Sequence, residues 1–157
     1  MAPTARARFS IVLCFTVSCA ENPSAIEETE SPDEKVLTAL DPYNPLYKVN
    51  ADGRVTHLSL AGKQVLASAV SEVGKLTELR MLSFSGASIT DDSLANLRNL
   101  SELKSLYLAG TPISRKGLIH LDNLHNLRWL WLPQKTFTKS DVDKLTTKFP
   151  GLSVYLQ

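Results

Sequence analysis

The chain is expected to fold as an α/β solenoid: about five parallel strands on one side, short helices on the convex side, and a helix and β-hairpin cap at the start. Three observations predict it. From Val55 onward one phrase is written four times, as VTHLSLAGKQV, LRMLSFSGASI, LKSLYLAGTPI and LRWLWLPQKTF, beginning at Val55, Leu79, Leu103 and Leu127, each 24 residues after the last. Within each copy the first, fourth and sixth residues are apolar, and the last two of these alternate with period two, as in a strand with one buried face. Farther along each copy the apolar spacing widens to three, at Val70 and Val73, Leu94 and Leu97, Leu118 and Leu121, Val142 and Leu145, which is one stripe of a short helix.

One strand and one short helix cannot bury both apolar faces alone. Stacking identical coils buries them continuously, and this is what a fixed period means physically. Thr90, Ser114 and Thr138 stand just before three of the helices as N-cap candidates. Thr138 with Asp141 has the form of a capping box, with Asp in place of Glu.

The pattern LxxLxLxx at this period resembles the leucine-rich repeat. The stretches SITDDSLANL (Ser88 to Leu97) and PISRKGLIHL (Pro112 to Leu121) are similar to a bacterial, exported variety with an I-T-D-x-G-L signature. The resemblance covers about two thirds of the chain and implies the solenoid described above. One departure matters. Many such repeats carry an Asn three residues after the last strand leucine, where its amide bonds a ladder of backbone groups. Here those positions are Lys63, Ala87, Thr111 and Lys135, so that ladder is expected to be absent.

Ahead of the repeats the composition changes. Residues 1–20 read as a secretory signal: Arg6 and Arg8, then an apolar run from Phe9 to Val17 that is far shorter than the ~20 residues of a spanning helix. Ser18-Cys19-Ala20 permits ordinary cleavage after Ala20. Phe15 to Cys19 also resembles a lipobox, which would place a lipid on Cys19 and anchor the protein to a membrane. The second route is preferred, because a Cys here is otherwise rare in such signals. Residues 21–31 are acidic and poor in apolar groups, as in a disordered tether. Residues 32–54 form the cap. Ser31-Pro32-Asp33-Glu34 looks like a helix start, with Ser31 as N-cap and a helix through Leu40. Leu46 to Asn50 then alternates like a strand, and Ala51-Asp52-Gly53 turns it back into the repeats at 55–157. Leu46, Tyr47 or Val49 is expected to hide side chains at the first coil. Beyond the fourth helix, Leu152 to Leu156 reads as a fifth parallel strand with an uncovered edge.

Both cysteines, Cys14 and Cys19, lie in the signal segment, so stability must come from stacked apolar layers. The formal charge is +1, but residues 20–45 hold seven acidic groups against Lys35, whereas residues 46–157 hold 14 Lys or Arg against nine Asp or Glu. Arg80, Lys104 and Arg128 form a row at the repeat step. With Glu78 and Glu102 beside it, that row reads as a solvated strand margin, and no nucleic-acid partner is expected.

Residues between the buried ones should point to the concave face in three columns. The first is His57, Met81, Ser105, Trp129 and Ser153. The second is Ser59, Ser83, Tyr107, Trp131 and Tyr155. The third is Ala61, Ser85, Ala109, Pro133 and Gln157. Both tryptophans and two of the four tyrosines thus gather on one predicted patch, with His57 and Met81 along the same face. Trp and Tyr are common interface anchors, so the expected function is non-enzymatic binding of another protein in the bacterial cell envelope, on this face or along the open last strand. A Tyr/Trp platform for a glycan is the alternative, and an enzyme with an unrecognised site is a third reading. No catalytic, cofactor or metal residue is assigned. His57, His120 and His125 do not share a face, no carboxylate is placed to orient His57 toward Ser59, and neither a phosphate loop nor a Cys/His set is present.

Overall fold

A computed structural model describes residues 31 and 33–157. The expected signal segment, the Cys19 lipidation site and most of the acidic tether lie outside the described residues. Among the described residues no helix is long and apolar enough to cross a membrane.

Six strands form one sheet in chain order: β1 (Leu46–Val49), β2 (Val55–Ser59), β3 (Met81–Ser83), β4 (Ser105–Tyr107), β5 (Trp129–Leu132) and β6 (Ser153–Leu156). β2 to β6 are parallel, and each register step is the 24-residue repeat itself, as in Leu58↔Leu82, Leu82↔Leu106, Leu106↔Leu130 and Leu130↔Val154. The remaining helices are α1 (Glu34–Leu40), α2 (Ala67–Val73), α3 (Asp91–Leu94, drawn out as a 3-10 turn to Leu97) and α4 (Lys139–Lys148). The third coil keeps a 3-10 helix, Arg115–Leu121, instead of an α-helix. This is the solenoid expected from the repeats. It buries Leu58, Leu60, Leu82, Phe84, Leu106, Leu108, Leu130 and Leu132 to 2% exposure or less, each burial contributing about 2 kcal/mol.

Each strand must turn sharply to reach its helix, and one column does this three times. Gly62, Gly86 and Gly110 have φ of 68°, 67° and 68°, a region that glycine enters without steric cost. Their amides continue the ladder, Gly62 N–H to Ser85 O and Gly86 N–H to Ala109 O at 2.7 Å. The fourth coil carries Gln134 at this place and turns at Pro133, which is buried rather than part of an open concave floor. At the position of the missing Asn in the third coil, Thr111 Oγ1 donates to Leu108 O within its own turn at 2.6 Å.

The cap corrects two expectations. Ser31 does not cap α1. Its hydroxyl donates to Gly53 O at 2.5 Å, and α1 begins at Glu34, after Asp33. Asp33 is 3% exposed; its carboxylate accepts the Val55 N–H at 2.6 Å and lies 3.8 Å from Arg54 Nη1, so the helix start is fastened to the first repeat strand. Likewise, Leu46, Tyr47 and Val49 hide no side chains: they are 73%, 46% and 49% exposed. Strand β1 pairs antiparallel with β2 through a bulge between Lys48 and Val49 and covers backbone only, while Val36, Leu37 and Leu40 of α1 cover the apolar layer. At the other end, no strand among the described residues pairs with the outer edge of β6.

The helix starts also differ from one another. Asp141 closes the expected box at α4, accepting the Thr138 N–H at 2.9 Å and its hydroxyl at 2.7 Å. Ser114 Oγ accepts the Lys116 N–H at 3.2 Å. Thr90 does not cap α3 through its side chain, which instead meets Ser93 Oγ at 3.3 Å.

Candidate functional site

The parallel register lays the first two columns out as expected. The first runs His57, Met81, Ser105, Trp129, Ser153, and the second Ser59, Ser83, Tyr107, Trp131, Tyr155. Strand pairing at about 4.8 Å brings the second-column rings face to face. Tyr107 and Trp131 stack with centroids 4.0 Å apart and planes 10° from parallel, and Trp131 and Tyr155 stack at 5.1 Å and 18°. Trp131 is therefore covered on both faces, half-buried, and presents an edge to solvent.

Trp129 stands apart from this ladder. Its register neighbours are Ser105 and Ser153, it belongs to no ring stack among the described residues, and it is 44% exposed. Tyr155, last in the ladder, is 46% exposed. Within the face expected from the sequence, three rings form a clamped ladder and Trp129 stands beside it outside the stack.

His57 and Met81 sit at the opposite end of the face, half-buried. His57 Nδ1 lies 3.0 Å from Thr56 Oγ1, and its cross-strand partner is Lys48, a cation where a catalytic imidazole would need a carboxylate. Among the described residues no group of three or more His, Cys, Asp or Glu side chains is placed to hold a metal ion.

The antiparallel hairpin extends the face in a way the repeat alone does not show. Leu46 pairs with Ser59 and Lys48 with His57, so the second column begins at Leu46 and the first at Lys48. Leu46, Tyr47, Met81 and His57 surround a cleft of about 200 Å³ over a floor that includes Ser59 and Ser83. The signal that could have found this was the hairpin register: Asn50-x-x-Gly53 fixes the turn, through Gly53 N–H to Asn50 O at 3.1 Å and Asn50 N–H to Arg54 O at 2.9 Å. That turn places each β1 residue opposite its partner.

No protein-family model and no curated protein matches the chain. Among solved structures it is similar to an internalin (inlF) from Listeria monocytogenes, at 20% identity and a TM-score of 0.51 over 85% of this chain and 47% of that one. A match to an internalin C2 (inlC2) from the same organism has 29% identity and a TM-score of 0.44 over 55% of this chain and 36% of that one. The chain thus spans less than half the length of either. The first likeness is one of fold, and that fold is the leucine-rich-repeat solenoid.

Proposed function

We propose that the chain is a non-enzymatic binding module whose concave face engages another protein. The observation that supports this best is the arrangement of Trp129 beside the Tyr107–Trp131–Tyr155 ladder. Rings that carry exposed apolar area on a rigid sheet are typical anchors of protein interfaces. A sugar platform would have to rest on Trp129, since a sugar stacks on a ring face and both faces of Trp131 are already covered. The signal-like composition of residues 1–20 supports an exported setting for this work, the cell envelope, with Cys19 as lipid anchor if the lipobox route is taken.

The test is capture from the native envelope fraction by the full chain, by Trp129→Ala and Trp131→Ala, and by a convex control, Ile119→Ala. The reading requires one set of captured proteins to be lost with the tryptophans and kept with the control. Equal capture by all four folded proteins would remove the concave face from consideration.

A further inference from the structure

The concave face has a charge sign that the overall +1 conceals. None of its three columns contains an Asp or a Glu, while Lys48 stands on it opposite His57. Beside the first column, Arg80, Lys104 and Arg128 are exposed immediately before β3, β4 and β5. Their backbones are stepped by the ladder, Arg80 N–H to Thr56 O at 2.8 Å, Lys104 N–H to Arg80 O at 2.9 Å and Arg128 N–H to Lys104 O at 2.8 Å. The three cations therefore follow the strand pitch.

The carboxylates that the sequence sets beside this row do not all neutralise it. Glu78 is engaged by Arg54 at 3.3 Å and by the Asn50 amide at 2.9 Å. Asn126, the corresponding residue of the fourth copy, carries no charge and donates to Ser101 O at 2.8 Å. Arg54 also faces Asp33, so Glu102 and one surplus carboxylate of the Asp33–Arg54–Glu78 group stand against three cations, none of which makes an ion pair among the described residues. Like charges held on successive strands repel, and an anionic occupant relieves that repulsion.

The cleft between Leu46 and Met81 adds a second requirement. Leu46 is 73% exposed, and a wholly polar polyanion would leave it and Trp129 uncovered. We propose that the occupant of the concave face is an acidic polypeptide segment with apolar anchors. Its carboxylates lie against Arg80, Lys104 and Arg128, and one apolar side chain fills the cleft. This rests on the reading that the concave face binds protein.

A random peptide library displayed on phage, selected against the full chain and counter-selected against Trp129→Ala, tests it. Selected peptides should be rich in Asp and Glu around Leu, Phe or Tyr, and synthetic copies should weaken steeply as salt rises. Joint replacement of Arg80, Lys104 and Arg128 by Glu should reduce their affinity about tenfold or more, with circular dichroism and melting unchanged because all three side chains are exposed. Binders that depend on Trp129 yet show no acidic excess would overturn the acidic occupant and leave the concave-face reading standing. Removal of every binder by the counter-selection against Trp129→Ala would overturn both. Heparin binding at the cationic row, with no acidic peptide selected, would also overturn the proposal, by making a sulfated glycan the occupant.

Discussion

Ser114 and Asp91, 23 residues apart, are joined twice: the Ser114 N–H and hydroxyl both donate to the Asp91 carboxylate, at 2.7 and 2.5 Å. The contact ties the helix start of one coil to that of the next. It also explains Gly117, where an added Cβ would lie 2.5 Å from Asp91 Oδ1. Asp91→Ala should therefore lower stability by about 2 kcal/mol, the scale of lost hydrogen bonds to a charged group. Gly117→Ala should also destabilise, since the carboxylate must yield its place. Urea unfolding of both variants measures this, and unchanged midpoints would show the clasp to be incidental.

A second cross-coil contact gives a pH signature. Arg115 Nε lies 2.8 Å from Asp141 Oδ1. This hydrogen bond, together with those from the Thr138 hydroxyl and N–H, holds the Asp141 carboxyl well below the usual carboxylate range. A carboxyl whose value is lower folded than unfolded binds its proton more readily in the unfolded chain. Its contribution is thus full above the unfolded value of about 4 and fades as pH falls toward the folded value. The stability gap between the parent and Asp141→Asn should be constant near neutral pH and shrink progressively below about pH 4. Thermal melts across that range read it, and a gap that widens on acidification would refute the assignment.

Core and cap should respond in opposite ways. Phe84 is fully buried among the stacked coils, so Phe84→Ala should cost about 3–5 kcal/mol. Leu46→Ala should change stability by no more than about 0.5 kcal/mol, because Leu46 is exposed. Chemical denaturation of the pair separates the two. A large loss at Leu46 would mean that β1 buries side chains after all.

The two indoles should differ in solution. Acrylamide should quench the remaining tryptophan more strongly in Trp131→Phe, which keeps the exposed Trp129, than in Trp129→Phe, which keeps the half-buried, stacked Trp131. Removing the middle ring with Trp131→Ala should also cost about 1 kcal/mol or more through two lost stacking contacts. Equal quenching would place both indoles in the same environment.

Much of this arrangement was legible in the sequence, because an unbroken 24-residue step makes register a matter of counting. The columns that contain Tyr107, Trp131 and Tyr155 follow directly from it. What was missed lies where counting stops. Ser31 reads as a cap on local chemistry, yet its hydroxyl is taken by Gly53, 22 residues away. The alternation of β1 suggested a buried face, but a bulge and an antiparallel partner left its apolar residues outside. Counting columns also does not show that three of the four rings stack and that Trp129 stays outside the stack. With Glu78 and Glu102 beside it the cationic row reads as a solvated margin, yet Glu78 is already held by Arg54 and Asn50 from the cap hairpin.

The ladder has a consequence for how recognition could diversify here. Trp131 is immobilised between two tyrosines before any visitor arrives, so the rotamer entropy of that indole is lost during folding rather than at encounter. On the binding face proposed above, the ladder is then the stiff part, and discrimination between partners would fall to its unclamped neighbours. Trp129, Met81 and His57 each sit on a different coil, with no ring stacked against them, and each can be exchanged one codon at a time while the wall behind stays as it is.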